Sequence, residues 1–544
     1  MNRDLESIQE ARDLANAAFA AFQTFEHFTE EQVDRILAEV SKAGIAHAAA
    51  LAKLAVEETG YGTVEHKTLK NLFCARDVYN AIKPMKTIGI VREDPEKKIL
   101  EVASPIGVIA AIIPSTNPTS TAIYKALIAL KGRNTIVFSP HPSAAKCINE
   151  TSRLIAAAAE SAGAPKNVIC CMKAPTLEGT DALMKHSRTS LILATGGTGL
   201  VKAAYSAGKP AFGVGPGNVP TYIEGTADVP KAVKDILTGK TFDNGTLCSS
   251  EQSIVCDESV KGAVLEQLRS QGAYVCNPAE KTLLEQTIQT PRRTLNTKIV
   301  GQSAVKIAAM AGFKVPAGTR AIVAHADGVG DTFPISMEKL SPILAFYVVK
   351  DWREGCARCI EILSFGGLGH TLSLHTRDEK VVREFALRKP AFRICVNTPA
   401  ALGAVGYTTN LFPSMTLGCG AQGNNITSDN ISPLHLINLK RVAWGVRDVE
   451  TTAPSPAPRG VIEKVVDQWI ERKTDKPTPQ SVAPPLSSYN ELQPAVAKPV
   501  AFVCEDDVRV AIDSKSQIVL GRKTIVTPSA RELGEAHDVF VIAD

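Results

Sequence analysis

IGVIAAIIPSTNPTSTAIYKALIALKGRNTIVFSP, residues 106–140, reads as strand, helix, strand. Its first run, Ile106 to Ile113, is apolar throughout and bounded by Pro105 and Pro114. At about half the length of a bilayer crossing, it reads as a buried strand. STAIYKALIALKG is helical and TIVFSP strand-like. Strands joined through a helix make a βαβ unit with a parallel sheet.

The same alternation extends outward from about 86 to 225. TIGIVRED, KILEVAS and SLILAT are strand-like, whereas AAKCINETSRLIAAAAESAG and TGLVKAAYSAG are helical. Before it, residues 1–83 are helical: Leu5, Ile8, Ala11, Ala15, Phe19 and Phe22 recur at steps of three or four, the mark of an amphipathic surface helix. A second αβ stretch follows to about 445. Prolines then crowd residues 451–500, as in an extended tether. Within it VIEKVVDQWIERK, 461–473, carries an apolar stripe of Ile462, Val465, Val466, Trp469 and Ile470. Residues 501–544 suggest a small α/β module: AFVCEDD, VRVAID, QIVLG and KTIV are strand-like, and Thr527-Pro528 signals a helix start.

The chain has 544 residues, enough for three or four units at about 100–200 residues per domain. Hydrophobic residues at 44% and charged ones at 21% exclude a fibrous or wholly disordered chain. A balance of 60 Lys+Arg against 56 Asp+Glu gives no basic face for nucleic acid or anionic lipid. The opening residues lack a signal-peptide core, so no export is expected and the 12 cysteines are expected reduced. Cys356 and Cys359 form C-A-R-C without a second Cys or His pair at zinc spacing, and no catalytic metal is expected. Cys170-Cys171 reads as core.

The strongest chemical signal is KTFDNGTLCSSEQSIV, 240–255, where Cys248 follows a Gly-bearing turn and precedes a β-branched strand. A thiol near backbone N–H groups on such a loop can attack a carbonyl carbon. Thr195-Gly196-Gly197-Thr198-Gly199 lies between a strand-like and a helical run, so its N–H groups can face a pyrophosphate, although it departs from the G-x-G-x-x-G fingerprint.

These two motifs, with IIPSTNP and SPHPSA, resemble in order and spacing the CoA-acylating aldehyde dehydrogenases, among them the acetaldehyde and propionaldehyde enzymes of bacterial fermentation. The resemblance covers residues 1 to about 445. It implies an α/β aldehyde dehydrogenase fold: a Rossmann-like NAD-binding domain over 1–225, an oligomerisation hairpin near 86–103, a catalytic domain over 226–425, and a return segment over 426–450. It also implies that Cys248 is the nucleophile and that Asn117, with the Cys248 N–H, holds the oxyanion. Thr195, Gly196, Gly197 and Thr198 would approach the NAD phosphates. Ser139, Pro140 and His141 would lie at the adenosine ribose, without the lysine usual in hydrolytic members. Glu338, in EKLSP, would hold the nicotinamide ribose, and TLGCGAQGNNITSDNI, 416–431, would line the active-site mouth. His370 is left outside the catalytic set.

Hydrolytic relatives place a water-activating glutamate where this chain reads Phe212-Gly213-Val214-Gly215, and Gly213 is taken to occupy its place. Without a base, CoA should outcompete water for the acyl group. The expected reaction is NAD-dependent oxidation of a short aldehyde, propionaldehyde by preference, to its acyl-CoA; acetaldehyde and sulfoacetaldehyde are the alternatives. A homodimer or homotetramer is expected, in the cytoplasm or in a bacterial microcompartment. Helix 461–473 or module 501–544 would then dock on shell or cargo protein, or the helix would pack on the protein's own catalytic domain. A non-enzymatic scaffold is the reading of another class.

Overall fold

Val108–Ile113 is the central strand of a five-stranded parallel sheet ordered Ile169–Cys171, Thr135–Pro140, Val108–Ile113, Thr189–Thr195, Ala211–Val214. Every residue of Val108–Ile113 and Thr135–Pro140 is buried, as in a sheet covered on both faces. The chain builds outward on one side of the central strand and then returns to build on the other. Between Val108–Ile113 and Thr189–Thr195 the winding reverses, so the loops beyond their carboxyl ends diverge and leave a crevice. Lys125, on the wholly buried helix Pro118–Lys131, donates from Nζ to Ile112 O and Leu193 O, both at 2.8 Å, and ties the two strands together just short of that crevice.

The computed structural model describes residues 3–448, 459–474, 500–514 and 516–542. The chain forms two units, Met1–Arg447 and Asp448–Asp544.

In the first unit, helix Arg3–Phe25 buries Ser7, Ala11, Ala15, Ala18, Ala21 and Phe25, while Leu5 is exposed. The expected stripe is therefore rotated toward small residues. A Cβ on Gly179 would stand 2.0 Å from Ser7 Oγ, so small groups let helix Leu177–Lys185 approach closely.

A seven-stranded parallel sheet runs in the order Ala273–Val275, Ala321–His325, Ile343–Val349, Glu251–Asp257, Val219–Ile223, Gly369–His375, Ala391–Val396. Val219–Ile223 pairs with Glu251–Asp257 and Gly369–His375. The boundary expected at 225 thus falls earlier, between Val214 and Val219, because Val219–Ile223 completes the second sheet. The chain also crosses back before 425: Ala401, Ala404, Val405, Met415 and Leu417 join the core around the first sheet.

Gly89–Asp94 and Ile99–Pro105 form a hairpin in the expected place, with its turn at Pro95-Glu96-Lys97-Lys98. Ile437–Ala443 adds antiparallel to Ile99–Pro105.

In the second unit, helix Arg459–Thr474 contains the expected 461–473 segment. The terminal module has parallel strands Val500–Val503, Ile518–Val526 and Phe540–Ile542, with helices Glu505–Asp513 and Pro528–Ala536. VRVAID, expected as a strand, is helical: Asp507 Oδ2 accepts from Cys504 N at 2.8 Å, and Val508 and Ala511, three apart, are the residues buried. QIVLG and KTIV are one strand. Most of the tether, 451–458 and 475–499, lies outside the described residues.

Candidate active site

After helix Val229–Thr241, Asp243, Asn244 and Gly245 take successive left-handed conformations, with φ of 49°, 53° and 76°. Such conformations cost a non-glycine residue of order 1–3 kcal/mol and persist only when surrounding bonds demand them. Here Asp243 N–H donates to His66 Nδ1 and Asn244 Nδ2 to Gly301 O, each at 2.9 Å. A Cβ on Gly245 would press against the Ser341 backbone at 3.0 Å. The turn delivers Cys248 to the amino end of strand Glu251–Asp257.

Asn117 occupies the N-cap of helix Pro118–Lys131, yet its side chain does not cap the helix. Its Oδ1 instead accepts from Lys70 Nζ at 2.5 Å, while Nδ2 faces Thr246 O at 3.3 Å and Thr116 Oγ1 at 3.2 Å. A turn residue serving only Pro118 would not need this long-range hold.

One cavity of about 530 Å³ in the first unit is lined by Asn117, Ser139, Pro140, His141, Thr195, Gly196, Gly197, Cys248 and Glu338. Residues expected at the nucleophile, the oxyanion site and the cofactor site thus share one space, at the crevice where the winding reverses. Thr198 opens helix Thr198–Tyr205, and its side chain lies outside the described residues. Leu417 and Met415 also line the cavity; of the 416–431 loop expected at the mouth, Leu417 is the residue that does so.

The cofactor end has the character a dinucleotide requires. Thr195 Oγ1 is buried without a protein hydrogen-bond partner among the described residues, and nothing stands within 4 Å of where a Cβ on Gly197 would project. A polar ligand can satisfy that hydroxyl and approach that backbone closely. Ser139 contributes shape rather than a free hydroxyl, because Ser139 Oγ and Thr180 Oγ1 share a buried hydrogen bond at 2.7 Å. His141 Nδ1 pairs with Ser143 Oγ at 2.8 Å, and desolvation lowers its pKa.

Burial pushes the Cys248 thiol up to about 12, with Glu338 and Cys419 adding to the rise and Arg393 opposing it. The resting sulfur is therefore a thiol that must hand over its proton. Glu338, the one carboxylate in the cavity lining among the described residues, is raised to about 7 by burial, against the pull of the Gly217 N–H, which donates to its Oε1 at 2.9 Å. His370 lies one layer back. Its ring flanks Gly217 on the side of the Cys248 carbonyl: a Cβ on Gly217 would meet that oxygen at 2.3 Å and the ring at 3.1 Å. Burial, then Arg393, push His370 down to about 3. Its Nε2 has no protein partner among the described residues.

The assignment of Gly213 needs correction. Alternation along strand Ala211–Val214 sends successive residues to opposite faces. A Cβ on Gly213 would meet Val201 at 2.8 Å and Tyr205 at 3.0 Å, away from the cavity, whereas Val214 lines it. An aliphatic side chain, not a glycine, faces the cavity there.

Sequence reasoning missed Lys67, Lys70 and Asp243, which are buried together beside Asn117. Two lysines three apart in EHKTLKN, on a helix face turned inward, were the available signal. A lysine on an inward face requires a partner, and the partner here, Asp243, is more than 170 residues away.

Comparison with known proteins places the chain in a family. The aldehyde dehydrogenase family model matches residues 4–405. The bifunctional aldehyde-alcohol dehydrogenase AdhE of Escherichia coli is 44% identical over 442 residues, 80% of this chain and 50% of that protein. The chain spans about half the length of the first curated relatives it matches. An acetylating aldehyde dehydrogenase from Geobacillus thermoglucosidasius is 54% identical with a TM-score of 0.81, covering 82% of this chain and 98% of that structure. A propionaldehyde dehydrogenase from the Clostridium phytofermentans fucose utilisation bacterial microcompartment is 31% identical with a TM-score of 0.72, over 79% and 96%. With the family model matched over most of its length, this chain belongs to the aldehyde dehydrogenase family.

Proposed function

We propose that this protein oxidises a short aliphatic aldehyde to its acyl-CoA with reduction of NAD+. The observation that carries the reading is the lining of the Cys248 cavity: Val214 stands at the turn where a hydrolytic enzyme needs its base, and Glu338 is the only carboxylate in the lining among the described residues. The Cys248 thiol first gives up its proton to solvent in the cavity. The Cys248 sulfur then bonds to the aldehyde carbon. Asn117 Nδ2 and the Cys248 N–H steady the oxyanion. When bound, the nicotinamide supplies an acceptor for the hydride that leaves that carbon. Cys248 is left as a thioester and yields its acyl group to the CoA thiol, which needs less activation than water. Thr195, Gly196, Gly197 and Thr198 hold the dinucleotide phosphates, Glu338 the nicotinamide ribose, and Pro140 and His141 the adenosine side. The test is a rapid mix with aldehyde and NAD+ but no CoA. One NADH per active site should form in a burst, with steady turnover only once CoA is added. Equally fast carboxylate production without CoA would end the reading.

A second cavity of about 240 Å³ supports an uncharged substrate tail. It shares Leu247, Val405 and Met415 with the first and is otherwise walled by Leu69, Phe73 and Phe242 among others. Lys70 also borders it, but its ammonium is engaged by Asp243 and Asn117. A sulfonate or carboxylate tail would find no uncommitted cation in that lining, which favours propionaldehyde over sulfoacetaldehyde. Among the described residues the first cavity's lining holds no Lys or Arg to meet a 2′-phosphate, which favours NAD over NADP. Comparing kcat/KM for C2, C3 and C4 aldehydes and sulfoacetaldehyde tests the tail, and NAD+ against NADP+ tests the cofactor.

Two association surfaces complete the proposal. The hairpin sheet exposes Ile90, Leu439 and Val442 and supports a homodimer or homotetramer, to be read by sedimentation. Helix Arg459–Thr474 exposes Val465 and Val466, 60% and 47%, as a docking helix for microcompartment protein would. Residues 451–544 fused to a fluorescent protein should concentrate in shell-producing cells; diffuse fluorescence would count against targeting.

A further inference from the structure

We infer that Lys70 is a positioning residue for the oxyanion site: it fixes which end of the Asn117 amide faces the reacting carbonyl and strengthens the donor at that end. This rests on the proposed role of Asn117. An asparagine amide carries an acceptor at one end and donors at the other, and half a rotation exchanges them. Lys70 Nζ, which can only donate, lies 2.5 Å from Asn117 Oδ1, so Oδ1 is committed and Nδ2 must point the other way. The contacts that Nδ2 makes there, 3.3 Å to Thr246 O and 3.2 Å to Thr116 Oγ1, are long. An oxyanion is a better acceptor than either. A cation at Oδ1 also draws electron density through the amide and makes its N–H a stronger donor.

Lys70 is itself held in place. Asp243 Oδ2 accepts from Lys70, from Lys67 Nζ at 3.0 Å and from Thr246 Oγ1 at 2.6 Å. Asp243 Oδ1 accepts from Thr63 N at 2.9 Å, and Lys67 reaches Thr116 O at 2.9 Å, beside Asn117. The side chains of Lys67, Lys70 and Asp243 are 2%, 4% and 0% exposed. Apolar packing would often be as stable as such a buried ionic cluster, so stability alone does not account for it. Burial lowers the Lys70 pKa to about 7 while Asp243 opposes the fall, and an oxyanion developing beyond Asn117 favours the charged ammonium only during reaction. That difference between resting and reacting states is what lowers a barrier.

The experiment is a double-mutant cycle on the full chain with Lys70→Met and Asn117→Ala, reading single-turnover NADH formation. Asn117→Ala should slow it about 10²–10³-fold, as loss of one oxyanion donor does. Lys70→Met should slow it 10–100-fold, with KM for NAD+ unchanged and with iodoacetamide alkylating Cys248 at the wild-type rate, since alkylation passes through no oxyanion. On the Asn117→Ala background, Lys70→Met should cost less than threefold, because the amide through which Lys70 acts is gone. A full cost on that background would overturn the inference while leaving Asn117 in its role. A small effect of Asn117→Ala itself would instead remove the role of Asn117. Lys70→Gln, which retains a donor for Oδ1 and for Asp243 and covers the case in which the Met variant fails to fold, should recover several-fold of the lost rate. A Gln variant slowed as much as Asn117→Ala, or one as fast as wild type on loss of the charge, would each overturn the inference.

Discussion

The carboxylate of Asp243 lies directly over the α-carbon of Gly62: a Cβ there would stand 1.9 Å from Asp243 Oδ1. Gly62 also has φ of +72°, so its lack of a side chain is demanded twice. Gly62→Ala should cost about 1–2 kcal/mol from backbone strain alone, push Asp243 off Lys70, and slow NADH formation more than tenfold. Thermal unfolding and single-turnover kinetics on the same sample check both effects.

Val214 and Gly213 make opposite forecasts. Val214→Glu puts a carboxylate into the cavity beside Cys248 and should raise CoA-independent acid formation at least tenfold. Gly213→Glu drives a side chain into Val201 and Tyr205 and should lower stability without adding hydrolysis. Product analysis with and without CoA distinguishes them.

Glu338 carries a pH signature. Its pKa is raised to about 7, so below neutrality the carboxyl is protonated and a weaker acceptor for ribose hydroxyls. KM for NAD+ should fall as pH rises from 6 to 8, and Glu338→Gln should flatten that dependence. Initial rates across this range are the check.

Glu251 gives a stability signature away from the reaction. It is wholly buried; Oε1 accepts from Ala400 N at 2.6 Å, Oε2 has no hydrogen-bond partner among the described residues, and burial raises its pKa to about 8 although Lys240 opposes the rise. The folded state keeps a proton that the unfolded chain releases from about pH 4.5 upward, so stability declines between there and pH 8, by at most about 1.4 kcal/mol per pH unit. Glu251→Gln removes this loss. The variant's Tm relative to wild type should rise from pH 5 to pH 8; a constant difference would refute the assignment.

Much of this site could be read before any coordinates. The run Ile106–Ile113 has the continuous apolarity of a strand buried on both faces, and it is the central strand. Cys248 and Asn117 stood out because a turn motif and a Pro-flanked loop are local in sequence. Side-chain facing was less legible. Gly213 was mistaken for the cavity-facing position because neighbouring residues on a strand point oppositely, and only the sheet fixes which faces in. VRVAID alternates like a strand, yet its capped start and the burial of Val508 and Ala511 make it helical.

From the chain alone follow the parallel α/β architecture and the local motifs that make Cys248 and the Gly196-Gly197 turn candidates, because each depends on periodicity or on residues within a few positions of one another. Tertiary structure alone decided that Lys67 and Lys70 meet Asp243 behind Asn117 and that Val214 faces Cys248's cavity. Burying two ammonium groups is tolerable only where a carboxylate from a distant loop arrives with the right geometry, and that meeting is set by how the sheets and helices pack rather than by any short stretch of sequence.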